Sequence, residues 1–458
     1  MANTTIEEHE NGITSEWVQR IGTLFYLVDP SKSTFKDPKE VPQYINEALP
    51  LFIALALLET AIRYLQGKKV RWNELFCSGG IGLLYMAIDF VCGAIMLLGY
   101  EWLYARRFLD LPWNSVYTWT GAFFLVDICY YWLHRAHHEV NILWAVHQVH
   151  HSGEDFNFGI PMRNSILQRA VSFGFYQPLA LLGFPFPTIL THVALNFLFQ
   201  FWVHTELIST VGPLEWIFNT PSHHRVHHGA NKWCLDKNYG SVLIIWDRIF
   251  GTFQEEKHNE EIVYGLTSQP QSHNALWHQV FHFVDIYDKY KSMSTWTDKM
   301  KALFYGPGWF PGTHRLGDPD TFPDIKAPRA KYDPQLPKWQ LVYIFTHLML
   351  AGLVLYVFII YRQDLSWSTV ILCLVFFISS AGILTSMLDA WKWAPMMEAS
   401  RCAMFIVAFT HLNPMANIPV ANTAITGFFT ISALFWISQS MGMDKVWVSL
   451  SLLNEYDM

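Results

Sequence analysis

Twelve of the 20 histidines in this 458-residue chain fall between His134 and His228, in the runs WLHRAHHE, AVHQVHHS and TPSHHRVHHG. On a helix, residues three and four apart share a face. His134 and His138 (HxxxH) therefore point together. So do His147, His150 and His151 (HxxHH), and His224, His227 and His228 (a second HxxHH). Ser222, after Pro221, fits an N-cap for the last of these helices. A lone histidine on a helix is ordinarily a surface group or a satisfied core group; the repetition is what argues for more. Eight imidazoles packed at one place are costly to bury as isolated polar groups and repel one another if charged. A bound metal resolves both problems, because neutral imidazole is the commonest metal ligand. Eight donors exceed a closed four-ligand zinc site, and no clustered cysteine accompanies them, so the pattern predicts two metals with about three to five nitrogen ligands each. Imidazole suits iron, copper, zinc and nickel alike. A pair of irons held by histidine is the leading reading, with zinc left open by donor chemistry alone. The Glu-x-x-His signature of soluble di-iron bundles matches only at Glu255–His258, a solitary pair in a charged loop that we discount.

The histidines sit in an apolar chain. Hydrophobic residues make up 52% and charged residues 15%, where soluble domains carry roughly 25% charged residues. A membrane-spanning helix needs about 20 mostly apolar residues. Nine segments approach this: 49–65, 75–100, 117–133, 166–183 and 187–203, then 339–361, 368–388, 401–420 and 421–441. The fourth and fifth are joined by GFPFP, whose prolines stop a helix and suit a tight hairpin. The expected fold is an all-α polytopic membrane protein of about nine transmembrane helices, with a cytosol-facing helical cap that holds a poly-histidine two-metal site. The expected organisation is an N-terminal tail (1–45), first spans (46–116), the histidine-bearing region (117–255), a cytosolic segment and linker (256–338), a C-terminal transmembrane block (339–441) and a C-terminal tail (442–458). The block after residue 338 shows no charge constellation and reads as packing around a lipid-chain channel. The six cysteines are far apart and read as reduced core residues. The N-terminus lacks a basic segment followed by an apolar one, so no cleavable signal peptide is expected. A net charge of −7 gives no basic footprint for nucleic acid.

Basic loops orient the spans. Placing Lys68, Lys69 and Arg71 in the cytosol brings all three histidine runs, and His204 at the end of the fifth span, to the cytosolic face. Arg106 and Arg107 on the opposite side oppose this mildly. Interfacial histidines, away from a midplane path, argue against a metal transporter.

HxxxH, HxxHH and HxxHH set around short spans resemble the fatty acid hydroxylase superfamily of membrane di-iron oxygenases. The likeness covers about 117–255 and includes NYGSVLIIWDRIFGTF, which follows the last run. The nine-span layout and the PSHHRVHHG motif are most similar to the glyceryl-ether-cleaving members. The resemblance implies multi-pass insertion in the endoplasmic reticulum membrane, two iron ions, O2 as co-substrate, tetrahydrobiopterin as electron donor, an ether-lipid substrate (alkylglycerols and lyso-alkylphospholipids) and a pterin-recycling enzyme as functional partner. It implies hydroxylation of the ether carbon to a hemiacetal, which falls apart to fatty aldehyde and glycerol. The alternative within the superfamily is a sterol or fatty-acyl hydroxylase or desaturase fed by cytochrome b5.

Carried over by position, the ligands are His134, His138, His147, His150, His151, His224, His227 and His228, with His204 as a ninth. Where some relatives have another histidine one turn earlier, this chain has Gln200. His223, His137, Gln200, Asp127 and Asp247 are candidates either as ligands or as outer hydrogen-bond partners of ligands, since metal-bound imidazole usually needs one. A salt bridge from Asp127 to Arg135 or Arg169 is the structural alternative. Glu139 is the candidate pterin contact, against a solvated helix end. Trp144, Phe156, Phe158, Trp216 and Trp233 offer stacking surfaces. His192 reads as a polar core residue, His278 and His282 as a two-histidine decoy, and His347 and His411 as isolated polar contacts or tunnel residues.

Overall fold

The computed structural model describes residues 18–412 and 417–441, with the side chains of 90–96 left aside. Residues 1–17 of the expected N-terminal tail, the whole expected C-terminal tail 442–458 and the side chain of Cys92 lie outside that description. Among the described residues the chain is helical, and pairing of extended backbone is limited to isolated bridges at Phe218–Leu243 and Gly229–Tyr264. The described cysteines Cys77, Cys129, Cys234, Cys373 and Cys402 are free.

Two compact units divide the chain. One holds 1–70, 90–269 and 282–330; the other holds 71–89, 270–281 and 331–458. Four helical stretches are long and apolar enough to cross a membrane: Pro38–Leu65, Lys338–Asp364, Trp367–Asp389 and Pro419–Met441.

In the first unit, helix α1 (Tyr44–Leu65) precedes α2 (Trp72–Tyr104), whose last turns enter this unit. α3 (Val116–Glu139) starts at Ser115, whose hydroxyl accepts the Tyr117 N–H at 3.2 Å. It ends where Val140 turns extended, and α4 (Asn141–His151) begins at once. That single extended residue folds α4 back onto α3. The segment expected as one span at 166–183 is instead broken into α5 (Gln168–Ser172), a 3-10 turn at Phe173–Phe175 and α6 (Gln177–Leu181). Pro178 lacks an N–H, and Gly183 closes the last piece at φ +90°, where a Cβ would collide with the Leu109 carbonyl. α7 (Phe186–Trp202) follows, with Pro185 at its N-cap. Ala122, Val126 and Leu133 of α3 pack with Tyr100, Phe173, Tyr176, Leu179 and Ile189. α1 lies on α7 through Ala48, Leu195 and Leu198, and Phe52 stacks on Phe201 at 4.0 Å. α8 (Pro221–His227) and α9 (Ile245–Phe250) complete the site. α10 (Ala275–Ser292) and α11 (Trp296–Phe304) come after it.

The second unit is built on α12 (Lys338–Tyr361), α13 (Trp367–Ser386), α14 (Ala394–Leu412) and α15 (Pro419–Met441). α14 begins seven residues before the apolar run at 401, because its first turns carry buried polar groups that hydropathy does not register. Here the reading of plain packing fails. Arg401 and Glu398 form a two-pronged ion pair (2.7 Å through Nε) with both side chains buried. Tyr343 donates to Glu398. Arg401 also reaches Ser380 at 3.1 Å and the His347 Nδ1 at 2.8 Å, and His347 Nε2 meets Ser432 at 3.3 Å. One charge pair thereby ties together all four helices, and His347 is a polar contact inside it. Ionisable groups between apolar helices persist only with such partners.

Candidate metal centre

The structure gathers nine histidines into two groups, in each of which the candidate ligand nitrogens lie within 4.8 Å of one another. His134 and His138 of α3, His147 and His151 of α4 and His227 of α8 form a pentad. His150 of α4, His204 just past α7, His224 of α8 and His228 at its C-cap form a tetrad. The helical repeat of each run is what aims its rings inward. In the pentad, the His147 Nε2 lies 2.9 Å from that of His134 and 3.3 Å from that of His151. In the tetrad, the His204 Nε2 lies 3.1 Å from His150 and 2.8 Å from His224, which is 3.2 Å from His228. Ligand nitrogens about 2.1 Å from a metal and at right angles to each other sit about 3.0 Å apart. The observed separations are the edges of such a polyhedron.

The outer ring nitrogens fix the tautomers. Nδ1 of His134 donates to the Tyr239 carbonyl at 2.9 Å, that of His227 to Lys237 at 2.8 Å and that of His204 to Gln200 at 2.7 Å. Each such bond leaves the Nε2 lone pair facing the group. The Nε2 atoms of His138 and His227 are buried without a hydrogen-bond partner. Orphaned acceptors of this kind fit an ion at the centre of the pentad. Burial also drives the imidazoles toward the neutral form that metals require. Desolvation pushes His227 down to about 4, and desolvation followed by the neighbouring His227 imidazole pushes His150 down to about 3. Aromatic rings wall off both groups: Trp144 lies 4.9 Å from His138, and Phe156 lies 5.2 Å from His228.

The remaining candidates fall elsewhere. His137 donates to the Leu133 carbonyl at 2.8 Å, and His223 lies 3.3 Å from the Thr220 hydroxyl. Neither joins a group. The Gln200 side chain is bound to Tyr130 and Asn196, and its backbone carbonyl serves His204. Asp127 bonds no imidazole and no arginine. It accepts from Val242 N–H (2.9 Å), Leu243 N–H (3.1 Å), the Trp246 indole (2.8 Å) and Asn196 (3.2 Å). Asp247 likewise accepts from Tyr239 N–H, Gly240 N–H and Thr252, each at 2.7 Å. Both carboxylates shape the 239–243 loop that carries the His134 partner; backbone donors, not ring nitrogens, claim them. Glu139 pairs with Arg135 at 2.7 Å and Arg315 at 3.0 Å. Ser222 is not the N-cap of α8. Thr220 holds that place because Pro221, with its fixed φ, takes the first helical position, and the Ser222 hydroxyl bonds Glu215 at 3.0 Å. His192 bonds the Tyr26 hydroxyl at 2.7 Å, His278 the Ser272 carbonyl and His282 the Asn141 side chain, both at 2.9 Å.

Two contributors carry no sequence signal of their own. Asp236, in a left-handed turn at φ +58°, places a carboxylate 3.5 Å from the His138 Nδ1. Burial and the nearby Glu139 push its carboxyl up to about 7. Arg225, between the histidines of α8, pairs with Glu256 at 2.6 Å and donates to the carbonyls of Thr205, Ile208 and Ser209.

The family model for fatty acid hydroxylase matches residues 119–252. The chain is 40% identical to the human alkylglycerol monooxygenase, across 91% of this chain and 94% of the relative. It is 38% identical to that of Danio rerio over the same shares. An ornithine lipid hydroxylase of Rhizobium tropici matches 36% of the chain at 29% identity. No solved structure matches. Histidines, spacing and near full-length likeness agree: this chain belongs to the alkylglycerol monooxygenase family, within the fatty acid hydroxylase superfamily.

Proposed function

We propose that this protein cleaves the O-alkyl bond of glyceryl ethers, using O2 and tetrahydrobiopterin, at a di-iron site in a membrane. The reading is carried by nine imidazoles, eight of them buried and His150 partly so, converging in two adjacent groups, in a chain alike over nine-tenths of its length to alkylglycerol monooxygenases. The pentad would hold one iron and the tetrad the other. When bound, the irons supply the activation of O2 needed to hydroxylate an unactivated C–H bond. One oxygen atom enters the substrate, the other leaves as water, and the reduced pterin provides two electrons. Hydroxylation of the ether carbon gives a hemiacetal. Its hydroxyl loses a proton, the carbonyl forms as the C–O bond breaks with its electron pair going to the glycerol oxygen, which takes up a proton, and fatty aldehyde and glycerol separate.

The residues themselves orient and exclude. Tyr239, Lys237 and Gln200 carbonyls hold three imidazoles in one tautomer, while Phe156 and Trp144 keep water from the groups. Glu139 is neutralised by Arg135 and by the half-exposed Arg315, so a pterin that uses this carboxylate must displace Arg315. The endoplasmic reticulum, a cytosol-facing site and a pterin-recycling partner belong to the same reading.

The test is purified enzyme with an alkylglycerol. Aldehyde release that depends on tetrahydrobiopterin, with about two irons per chain, is the expected result. Product formed only with cytochrome b5, or from a sterol, overturns the substrate and donor. Zinc in place of iron in active enzyme overturns the metal.

A further inference from the structure

The tetrad is held from a part of the chain outside the fatty acid hydroxylase match. Glu59 sits in the apolar helix α1 and is 2% exposed. An acid inside an apolar span is seldom without a task. One of its oxygens accepts the Phe158 backbone N–H at 2.7 Å, and the other accepts the Thr205 hydroxyl. One turn on, Arg63 donates to the Phe156 carbonyl at 3.0 Å and pairs with Glu206 at 2.9 Å. Two residues of one helix face thus grip two separate strips of chain.

Both strips lead to the tetrad. Thr205 follows His204 directly. Phe156 lays its ring 5.7 Å from His204, 6.2 Å from His224 and 5.2 Å from His228. On its other side, the 205–209 strip is held by Arg225, which sits between His224 and His227. The His204 backbone is therefore fixed from α1 and from α8 at once. His204 lies past the end of α7, whereas His224 lies in α8 and His228 caps it. Among the described residues, no hydrogen bond or ion pair joins a pentad histidine to α1.

We propose that Glu59, backed by Arg63, is a positioning residue for the tetrad: it sets His204 through Thr205 and the Phe156 cover through Phe158. The inference rests on the metal reading above. Outer contacts of this kind typically change metal affinity about 10–100-fold.

The experiment compares iron content and chelator release in detergent-purified wild type, Glu59→Ala, Glu59→Gln, Thr205→Val and Tyr26→Phe. Wild type is expected to hold about two irons. Glu59→Ala and Thr205→Val are expected to lose tetrad iron about 10–100-fold faster, leaving about one iron and the spectrum of an uncoupled single ion. Glu59→Gln keeps one acceptor oxygen and is expected to fall between. Tyr26→Phe removes a half-buried hydroxyl bonded to His192, away from the strips, and is expected to match wild type. Equal release from wild type, Glu59→Ala and Thr205→Val overturns the inference alone. Equal loss in Tyr26→Phe does so too, since it would mark general loosening. If Glu59→Ala does not accumulate folded, Thr205→Val decides. A wild type without iron overturns the metal reading, and the inference with it.

Discussion

An alanine at His147 is expected to lower aldehyde formation by more than about 100-fold, beyond the 10–100-fold that loss of an outer partner costs, and to remove about one iron per chain. The argument is geometric. The His147 Nε2 lies within 3.3 Å of the Nε2 atoms of both His134 and His151, so its loss takes two edges from the pentad. The ring is buried, and alanine leaves a gap that water fills. His137→Ala is the matched control: its ring lies 5.4 Å from His147 yet bonds the Leu133 carbonyl. It is expected to keep both irons. Metal analysis and product assay on the same preparations decide the matter, and a His147→Ala enzyme with two irons and full turnover would remove the pentad from the chemistry.

The second large effect is on stability. Asp127→Ala is expected to cost about 3–5 kcal/mol, the range for removing one member of a buried charge-assisted set. Asp127 is 1% exposed and accepts four hydrogen bonds. Alanine leaves two backbone N–H groups, an indole and an amide buried without acceptors. Asparagine retains one oxygen and turns an N–H toward the other donors, so it is expected to be intermediate. Thermal unfolding in detergent reads both; a transition temperature for Asp127→Ala equal to wild type would refute the account. The 239–243 loop, which carries the His134 partner carbonyl, is expected to loosen with it.

The histidines could be read ahead of the structure because their spacing follows the helix repeat, but each HxxHH run, expected to point together, divides between the two groups, since adjacent residues lie about 100° apart on a helix. His204 lacked that signal and was reached only through the family resemblance, which places a ninth ligand on the helix before the last histidine run. The groups that hold the rings were hidden for a different reason. Tyr239, Lys237 and Gln200 act through backbone carbonyls, which every residue type offers. Asp236 acts from a left-handed turn with no periodicity. Asp127 and Asp247 stood out as acids in apolar surroundings, but composition cannot tell an imidazole partner from a loop amide. Of the fold, α1, α12, α13 and α15 followed from apolar length. The 166–183 segment did not, because hydropathy reports burial and is blind to the breaks at Gly174 and Pro178. In α14, the spacing of Glu398 and Arg401 is also that of an exposed helix pair; only packing against Tyr343, His347 and Ser380 makes it a core.

The two groups are not separate pockets. α4 gives His147 and His151 to the pentad and His150 to the tetrad; α8 with its C-cap gives His227 to the pentad and His224 and His228 to the tetrad. A helix advances about 1.5 Å per residue, so the offset between the two centres is written into the pitch of two rods rather than into any loop. Neither centre can drift from the other unless a rod unwinds. Selection that tunes one of them must therefore carry its neighbour along.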